Sequence, residues 1–368
     1  MSNVISIIAF IIIIGLVIFI HEFGHYLLAR RNGIGVVEFA VGMGPNIYSW
    51  VKNGTRYCIK WIPFGGYCML LGQEDYFPDP SADGEEIVSD KEHSFSEKSV
   101  WQRISVILAG PAFNFILALV LAVLLVSLVG TTPSRIGKVA DDYPAKEAGL
   151  QAGDEIIKLN KTRVHLFQDI TMYFTLHEGE AVDVTYKRDG ETKTTTLTPK
   201  YNEEENRYLI GITSPGTLKN MNFGQILKYG YYEFGYSTSA VIKSLGMLFS
   251  GKASLNDLSG PVGMANIVNN IVDEVTEDTK NESAWTTVFY VFVNLLSFTV
   301  LISANLGVMN LLPIPAVDGG RLLFLIIEAV IGKPVPKKFE GIVTIAGFIL
   351  LALLMIAVLF NDIRKLFI

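Results

Sequence analysis

The sequence predicts a polytopic α-helical membrane protein with four transmembrane helices, a membrane-associated β hairpin and one extracytoplasmic, mainly β domain. Three features of the sequence support this. Half of the 368 residues are hydrophobic, 18% are charged and the mean hydropathy is +0.38, whereas a soluble chain carries about 25% charged residues. The apolar residues gather in Val4–Ile20, Ile104–Ser134, Ser283–Val317 and Gly341–Asn361, and none of these blocks holds a charge. Each approaches or exceeds the roughly 20 residues a helix needs to cross a bilayer. Only the stretch from Ser134 to about Pro215 reads as a soluble domain. A net charge of −6 argues against a nucleic-acid partner, and two cysteines, Cys58 and Cys68, cannot staple a disulfide-rich scaffold.

The first block is too long for a cleaved signal and lacks the basic start of one. Its apolar character runs on through His21-Glu22-Phe23-Gly24-His25 to Ala29. Short-loop basic residues set the orientation. Arg30, Arg31, Lys52, Arg56, Lys60 and Arg103 flank the first loop, and Arg321, Lys333, Lys337 and Lys338 the third. Both loops are therefore expected in the cytoplasm, with both termini and the Thr131–Glu282 segment outside.

Glu38 to Leu70 alternates apolar residues with glycines, a pattern of short strands and turns. Trp50, Trp61, Phe64 and Tyr67 suit a membrane interface. The pattern fits a hairpin dipping in beside the helices and equally a small cytosolic sheet. Glu74 to Glu97 holds nine acidic residues and one lysine and is expected to be a solvated, mobile cytoplasmic loop with His93 at its surface. Ser134 to Pro215 shows strand-like runs parted by turns such as Asp189-Gly190. Its segment Pro144–Asn160 closely resembles a PDZ signature, with a short helix, an Ala-Gly-Leu end, a Gly-Asp turn and a strand. PDZ domains usually take an extended peptide on a sheet edge, though such a domain can also act by bulk alone. His165 and His177 inside it are read as structural or surface residues. Met221 to Ser250 reads as an amphipathic helix, lying on the outer membrane face or packed on the PDZ domain. The expected organisation is thus 1–133, 134–215, 216–282 and 283–368.

His21-Glu22-Phe23-Gly24-His25 is an H-E-x-x-H motif. On a helix the two imidazoles share a face and reach one ion, with the glutamate placed to act on water. Random placement predicts on the order of 0.003 such motifs in a chain of this composition. Ionisable groups at membrane depth are functional candidates by default. Catalytic zinc needs a third protein ligand. Asp318 is the leading carboxylate, because Pro313 and Pro315 break the third helix and Gly319-Gly320 permit a turn beside it. On residues alone, an aspartate paired with Arg321 is an equal reading.

These motifs resemble the site-2 protease family, most closely its RseP-type bacterial branch. The resemblance rests on H-E-F-G-H in a first membrane helix, N-x-x-P-x-x-x-x-D-G at Asn310–Gly319 and a PDZ-like domain between the second and third helices. Ser99–Arg103 leading to Ala109–Asn114, and Ser259–Gly263, also match. A single PDZ departs from the two-PDZ members. The resemblance implies one zinc on His21, His25 and Asp318, with Glu22 as general base. It places Asn310 and Pro313 near the substrate and makes Phe64, Gly65, Gly66 and Tyr67 the loop that presents it. Asn114 falls in a supporting motif. The implied substrates are membrane proteins with one transmembrane helix, cut within the bilayer after a first trimming, such as anti-sigma factors or remnant signal peptides. A metal transporter and a non-catalytic PDZ scaffold are the competing classes. No ladder of polar groups crosses the helices as a transporter needs, and a scaffold has no use for an intact H-E-x-x-H.

Overall fold

The computed structural model describes residues 2–72, 91–252, 254, 256 and 258–365. Its contacts divide the chain into two units, 1–118 with 241–368, and 119–240.

Four helices are long and apolar enough to cross a membrane: α1 (Ser2–Arg31), α2 (Val100–Val129), α7 (Ala284–Leu311) and α9 (Lys337–Lys365). They coincide with the four uncharged blocks. Only a minority of their side chains are buried, and apolar ones such as Ile12, Val120, Phe292 and Ile356 are exposed. In water that surface would be a large exposed hydrophobic area.

In the first unit, β1 (Val36–Lys52) and β2 (Thr55–Leu70) meet at Asn53-Gly54, both at positive φ, the signature of a tight hairpin turn. The expected hairpin is folded further than a simple pair. Val36–Val41 pairs on one side with Gly66–Leu70 and on the other with Arg56–Ile59, which in turn pairs with Tyr48–Val51. The four runs make one small sheet whose edge nearest α1 is Gly66–Leu70. Met43, Ile47, Tyr48, Trp50, Trp61 and Ile62 are exposed on it. The acidic stretch expected from Glu74 to Glu97 lies largely outside the described residues. Its final part is tied down, with the Gly35 amide donating to the His93 carbonyl and the Phe95 amide to that of Leu71.

Two amphipathic helices complete this unit. α6 (Pro261–Asp278) buries Val268 against Phe10 and Ile13 of α1 and Phe298 of α7. Its amino end is clasped by Asp362 of α9, a buried carboxylate that accepts from the Gly260 amide at 3.2 Å and the Gly263 amide at 2.7 Å. A Cβ at either glycine would meet an Asp362 oxygen within 2.9 Å, which accounts for the Ser259–Gly263 motif. α8 (Asp318–Ile331) follows α7 after a six-residue break at 312–317.

The second unit contains a four-stranded sheet in the order β5-β4-β6-β7, with α3 (Pro144–Glu147) and α4 (Phe167–Leu176). The strands are β4 (Glu155–Leu159), β5 (Thr162–Arg163), β6 (Val182–Arg188) and β7 (Glu191–Leu197), with short pairs at β3 (Lys138–Val139) and β10 (Ile212–Thr213), and β8 (Lys200–Asn202) and β9 (Arg207–Leu209). Alternate residues Val182, Val184 and Tyr186 enter the core with Ile156, Leu159 and Ile170, the period-two pattern of a half-buried strand. Arg188 forks onto buried Asp154 at 2.7 Å and fixes the Gly-Asp turn. α5 (Phe223–Phe249) begins in this unit and docks on the domain. His165 stacks on Tyr232 at 4.0 Å, and Glu233 accepts from Thr131 and Gln168. This is the packed alternative for the amphipathic segment. His177 stacks on Tyr173 at 4.1 Å, so each histidine packs on a tyrosine, His165 at the surface and His177 half-buried.

Candidate metal centre

One turn of α1 separates His21 from His25, so both rings leave the same face. The rings lie 4.8 Å apart and nearly perpendicular. Asp318 reaches them from the first turn of α8. Its Oδ2 lies 3.0 Å from His21 Nε2 and 3.2 Å from His25 Nε2, and the two Nε2 atoms are 3.2 Å apart. A tetrahedral zinc with arms of about 2.0–2.1 Å separates its donors by about 3.3 Å. The three donors therefore fit that ion in number, type and spacing, and they are the grouped metal-binding residues among those described. Asp318 turns inward to the histidines rather than outward to Arg321.

The break after α7 makes this possible. α7 stops at Leu311, before Pro313, and the chain turns back so closely that a Cβ at Gly319 would sit 2.0 Å from the Leu312 carbonyl. Only glycine fits there. Asn310, on the last turn of α7, brings its Nδ2 within 3.4 Å of both His21 ring nitrogens. Pro313 is exposed beyond it.

The other face of the centre is α2, which spacing alone did not reveal. His25 Nδ1 donates to the Val106 carbonyl at 2.9 Å, leaving Nε2 bare for a metal. Asn114 is fully buried, with its amide nitrogen 3.2 Å from His21 Nδ1 and its Oδ1 without a partner. Turning this amide over sets Oδ1 against a His21 Nδ1–H, which satisfies the oxygen and frees the His21 Nε2. Gly110 lies between: a Cβ there would stand 2.3 Å from His25 Nε2 and 2.7 Å from His21 Cε1. The motif Gly110–Asn114 thus lets α2 close on both imidazoles.

Glu22 faces the sheet edge. The Cys68 backbone amide hydrogen-bonds to it, and a Cβ at Gly66 would lie 3.6 Å from Glu22 Cγ. Among the described residues no strand pairs with the outer side of Gly66–Leu70. Gly65 abuts Met43. Phe64 has its backbone in β2, and its side chain lies outside the described residues. Tyr67 donates to Glu38 at 2.6 Å, and Lys60 Nζ lies 3.0 Å from the same oxygen. Burial pulls the Glu38 carboxyl upward, but these two bonds prevail and hold it below the ordinary carboxylate range. The trio ties the edge run to the two runs behind it. Both cysteines are free, and burial pushes the Cys58 thiol up to about 11.

Comparison with known proteins agrees with this chemistry. The sequence profile of peptidase family M50 matches residues 9–354. A Clostridium acetobutylicum protein provisionally named a zinc metalloprotease is 38% identical over 360 residues, covering 98% of this chain and 96% of that protein. The regulator of sigma-W protease RasP of Bacillus subtilis is 34% identical over 434 residues, covering 98% of this chain and 99% of its own length. The solved PDZ domain of the SdrC-like protein from Listeria monocytogenes is similar at 24% identity and a TM-score of 0.21, covering 23% of this chain and 86% of that one.

Proposed function

Since this chain belongs to peptidase family M50, the site-2 proteases, and is an intramembrane zinc metalloprotease, we propose that His21, His25 and Asp318 hold its zinc and that Glu22 is its general base. The observation that carries this reading is the meeting of three donors 3.0–3.2 Å apart with a glutamate and a free strand edge. Zinc bound there would lower the pKa of a water toward about 7 and polarise the scissile carbonyl. Glu22 takes the proton of the attacking water and returns it to the leaving amine. The Cys68 amide steadies Glu22 for both transfers.

A substrate helix hides its peptide groups in its own hydrogen bonds. Unwinding it within lipid leaves polar groups unpaired at several kcal/mol each. The outer edge of Gly66–Leu70 replaces those bonds by adding the substrate as a strand, and Tyr67, tied to Glu38, keeps that edge in place. Asn310 lies against His21, where it can hold a substrate carbonyl or the ring. Asn114 keeps His21 in the metal-binding tautomer.

The substrates are membrane proteins with one transmembrane helix, trimmed beforehand. Anti-sigma factors fit, in keeping with the name of the Bacillus relative, a regulator of sigma-W protease, and so do remnant signal peptides. The bacterial plasma membrane is the proposed location, with both termini and the β-rich domain outside and the metal near the cytoplasm, as the basic-residue asymmetry favours. The β-rich domain is a PDZ domain that, with α5, filters out substrates with bulky outer parts. Deleting residues 135–213 should release cleavage of an untrimmed substrate, and unchanged selectivity would remove the filter role.

The primary test uses wild type and Glu22→Gln purified in detergent. One zinc per chain in both, with chelator-sensitive cleavage of a single-span substrate by wild type alone, is the expected result. Zinc loss in Glu22→Gln, or retained cleavage, would overturn the assignment.

A further inference from the structure

Three side chains on two helices, α1 and α8, must meet within tenths of an ångström at the metal, yet Asp318 belongs to a helix of only 14 residues. α8 exposes Leu323, Ile326, Val330 and Ile331 along one side. Leu325 packs on Ile104 and Ile107 of α2, but apolar packing does not set rotation sharply. A carboxylate oxygen stands about 6 Å from its helix axis, so a 20° roll of α8 would move it about 2 Å. Zinc ligands tolerate about 0.2 Å.

One directional contact resists that roll. Arg103 of α2 forks onto Glu328 of α8, with Nη1 to Oε2 at 3.0 Å and Nη2 to Oε1, while its Nε donates to the Lys98 carbonyl at 3.1 Å. The two side chains are only 14% and 16% exposed. A planar bidentate pair fixes orientation as well as distance. Glu328 lies ten residues beyond Asp318 on the same helix, about 15 Å along its axis. Arg103 stands on the same α2 stripe as Val106, Gly110 and Asn114, which together hold both histidines. α2 therefore touches both ligand-bearing helices, α1 directly at the imidazoles and α8 through Glu328.

We propose that the Arg103–Glu328 pair is a positioning device that sets the rotation of α8 and thereby brings Asp318 to the metal. The inference rests on His21, His25 and Asp318 being the zinc ligands. Its test measures zinc affinity of the full chain in detergent by chelator competition, together with the visible spectrum of the cobalt(II) form. Glu328→Gln, which keeps the side-chain shape, and Arg103→Ala should each weaken zinc about 10- to 100-fold and lower the tetrahedral cobalt absorbance. Arg103→Lys should fall between them and wild type. Arg103→Ala combined with Glu328→Gln should bind zinc no more weakly than the more damaging of the two single variants, because each acts through the other. A pair with a purely structural role would lower the melting temperature and leave zinc affinity and the cobalt spectrum unchanged, which would overturn the proposal. Additive losses would overturn it as well. His21→Ala tests the premise separately: unaltered zinc binding there would sink the ligand assignment rather than the role of the pair.

Discussion

Gly110→Ala places one methyl group at the most crowded point of the metal centre. The added carbon would stand 2.3 Å from His25 Nε2, 2.6 Å from its Cε1 and 2.7 Å from His21 Cε1. Non-bonded contact needs about 3.5 Å, so the His25 ring must retreat by about 1.2 Å, several times the tolerance of a zinc bond. A misplacement of about 1 Å costs about 100-fold in rate, or about 2.7 kcal/mol of transition-state stabilisation. Alanine is the better helix former by about 0.5–1 kcal/mol, which offsets part of the packing strain. The expected signature is a chain that stays folded but loses at least 100-fold in kcat/KM and releases zinc to a mild chelator. Gly15→Ala is the matched control, because nothing lies within 4 Å of its added carbon, and it should cleave like wild type. A Gly110→Ala chain with wild-type zinc content and cleavage would refute the geometry.

Four further outcomes are expected. Burial raises the Glu233 carboxyl, Asp169 adds repulsion, and bonds from Thr131 and Gln168 only partly oppose them. The contact of α5 with the domain thus favours the neutral acid, and this contribution is full below the ordinary carboxylate value and fades as pH rises through the raised one. Glu233→Gln should flatten the pH dependence of hydrogen exchange in α4 from the ordinary carboxylate range upward; a steeper dependence would contradict this. Asp362→Ala leaves two amides of α6 unpaired, at about 2 kcal/mol or about a 30-fold faster exchange at its first turn, and unchanged exchange would dismiss the clasp. Tyr67→Phe frees the sheet edge from Glu38 and should raise KM more than it lowers kcat; the opposite split would argue for a chemical role for Tyr67. The Cys58 thiol, pushed up to about 11 by burial and then by Glu38, should resist alkylation at pH 8 in the folded chain, and rapid labelling would show the sheet to be open.

The parts of the molecule that were legible in sequence are those governed by short-range rules. Four uncharged blocks gave four long helices, and the i, i+4 spacing put both histidines on one face. Proline and glycine after Leu311 marked the break that aims Asp318. The parts that escaped depend on pairing between distant segments. The sheet could not be read because Val36–Val41 is paired on both sides and the register shifts repeatedly, so alternation alone gives strands without their order. α6 escaped because the acceptor at its amino end, Asp362, comes from about 100 residues away. Arg103 and Glu328 stand 225 residues apart, and nothing local marks either as half of a pair. The Gly110–Asn114 spacing was the one available hint that α2 adjoins the histidines.

The clasp of Asp362 on α6 also dictates a timetable. α1 leaves the ribosome first with both histidines, and α6 follows long before the helix that caps it. Until Asp362 has been made and α9 inserted, the amides at Gly260 and Gly263 lack their acceptor, although α6 can already pack on α1 and α7. Asp318 likewise arrives almost 300 residues after His21. A chain arrested before α9 therefore already holds all three metal-binding side chains, beside an α6 whose amino end is still unclasped.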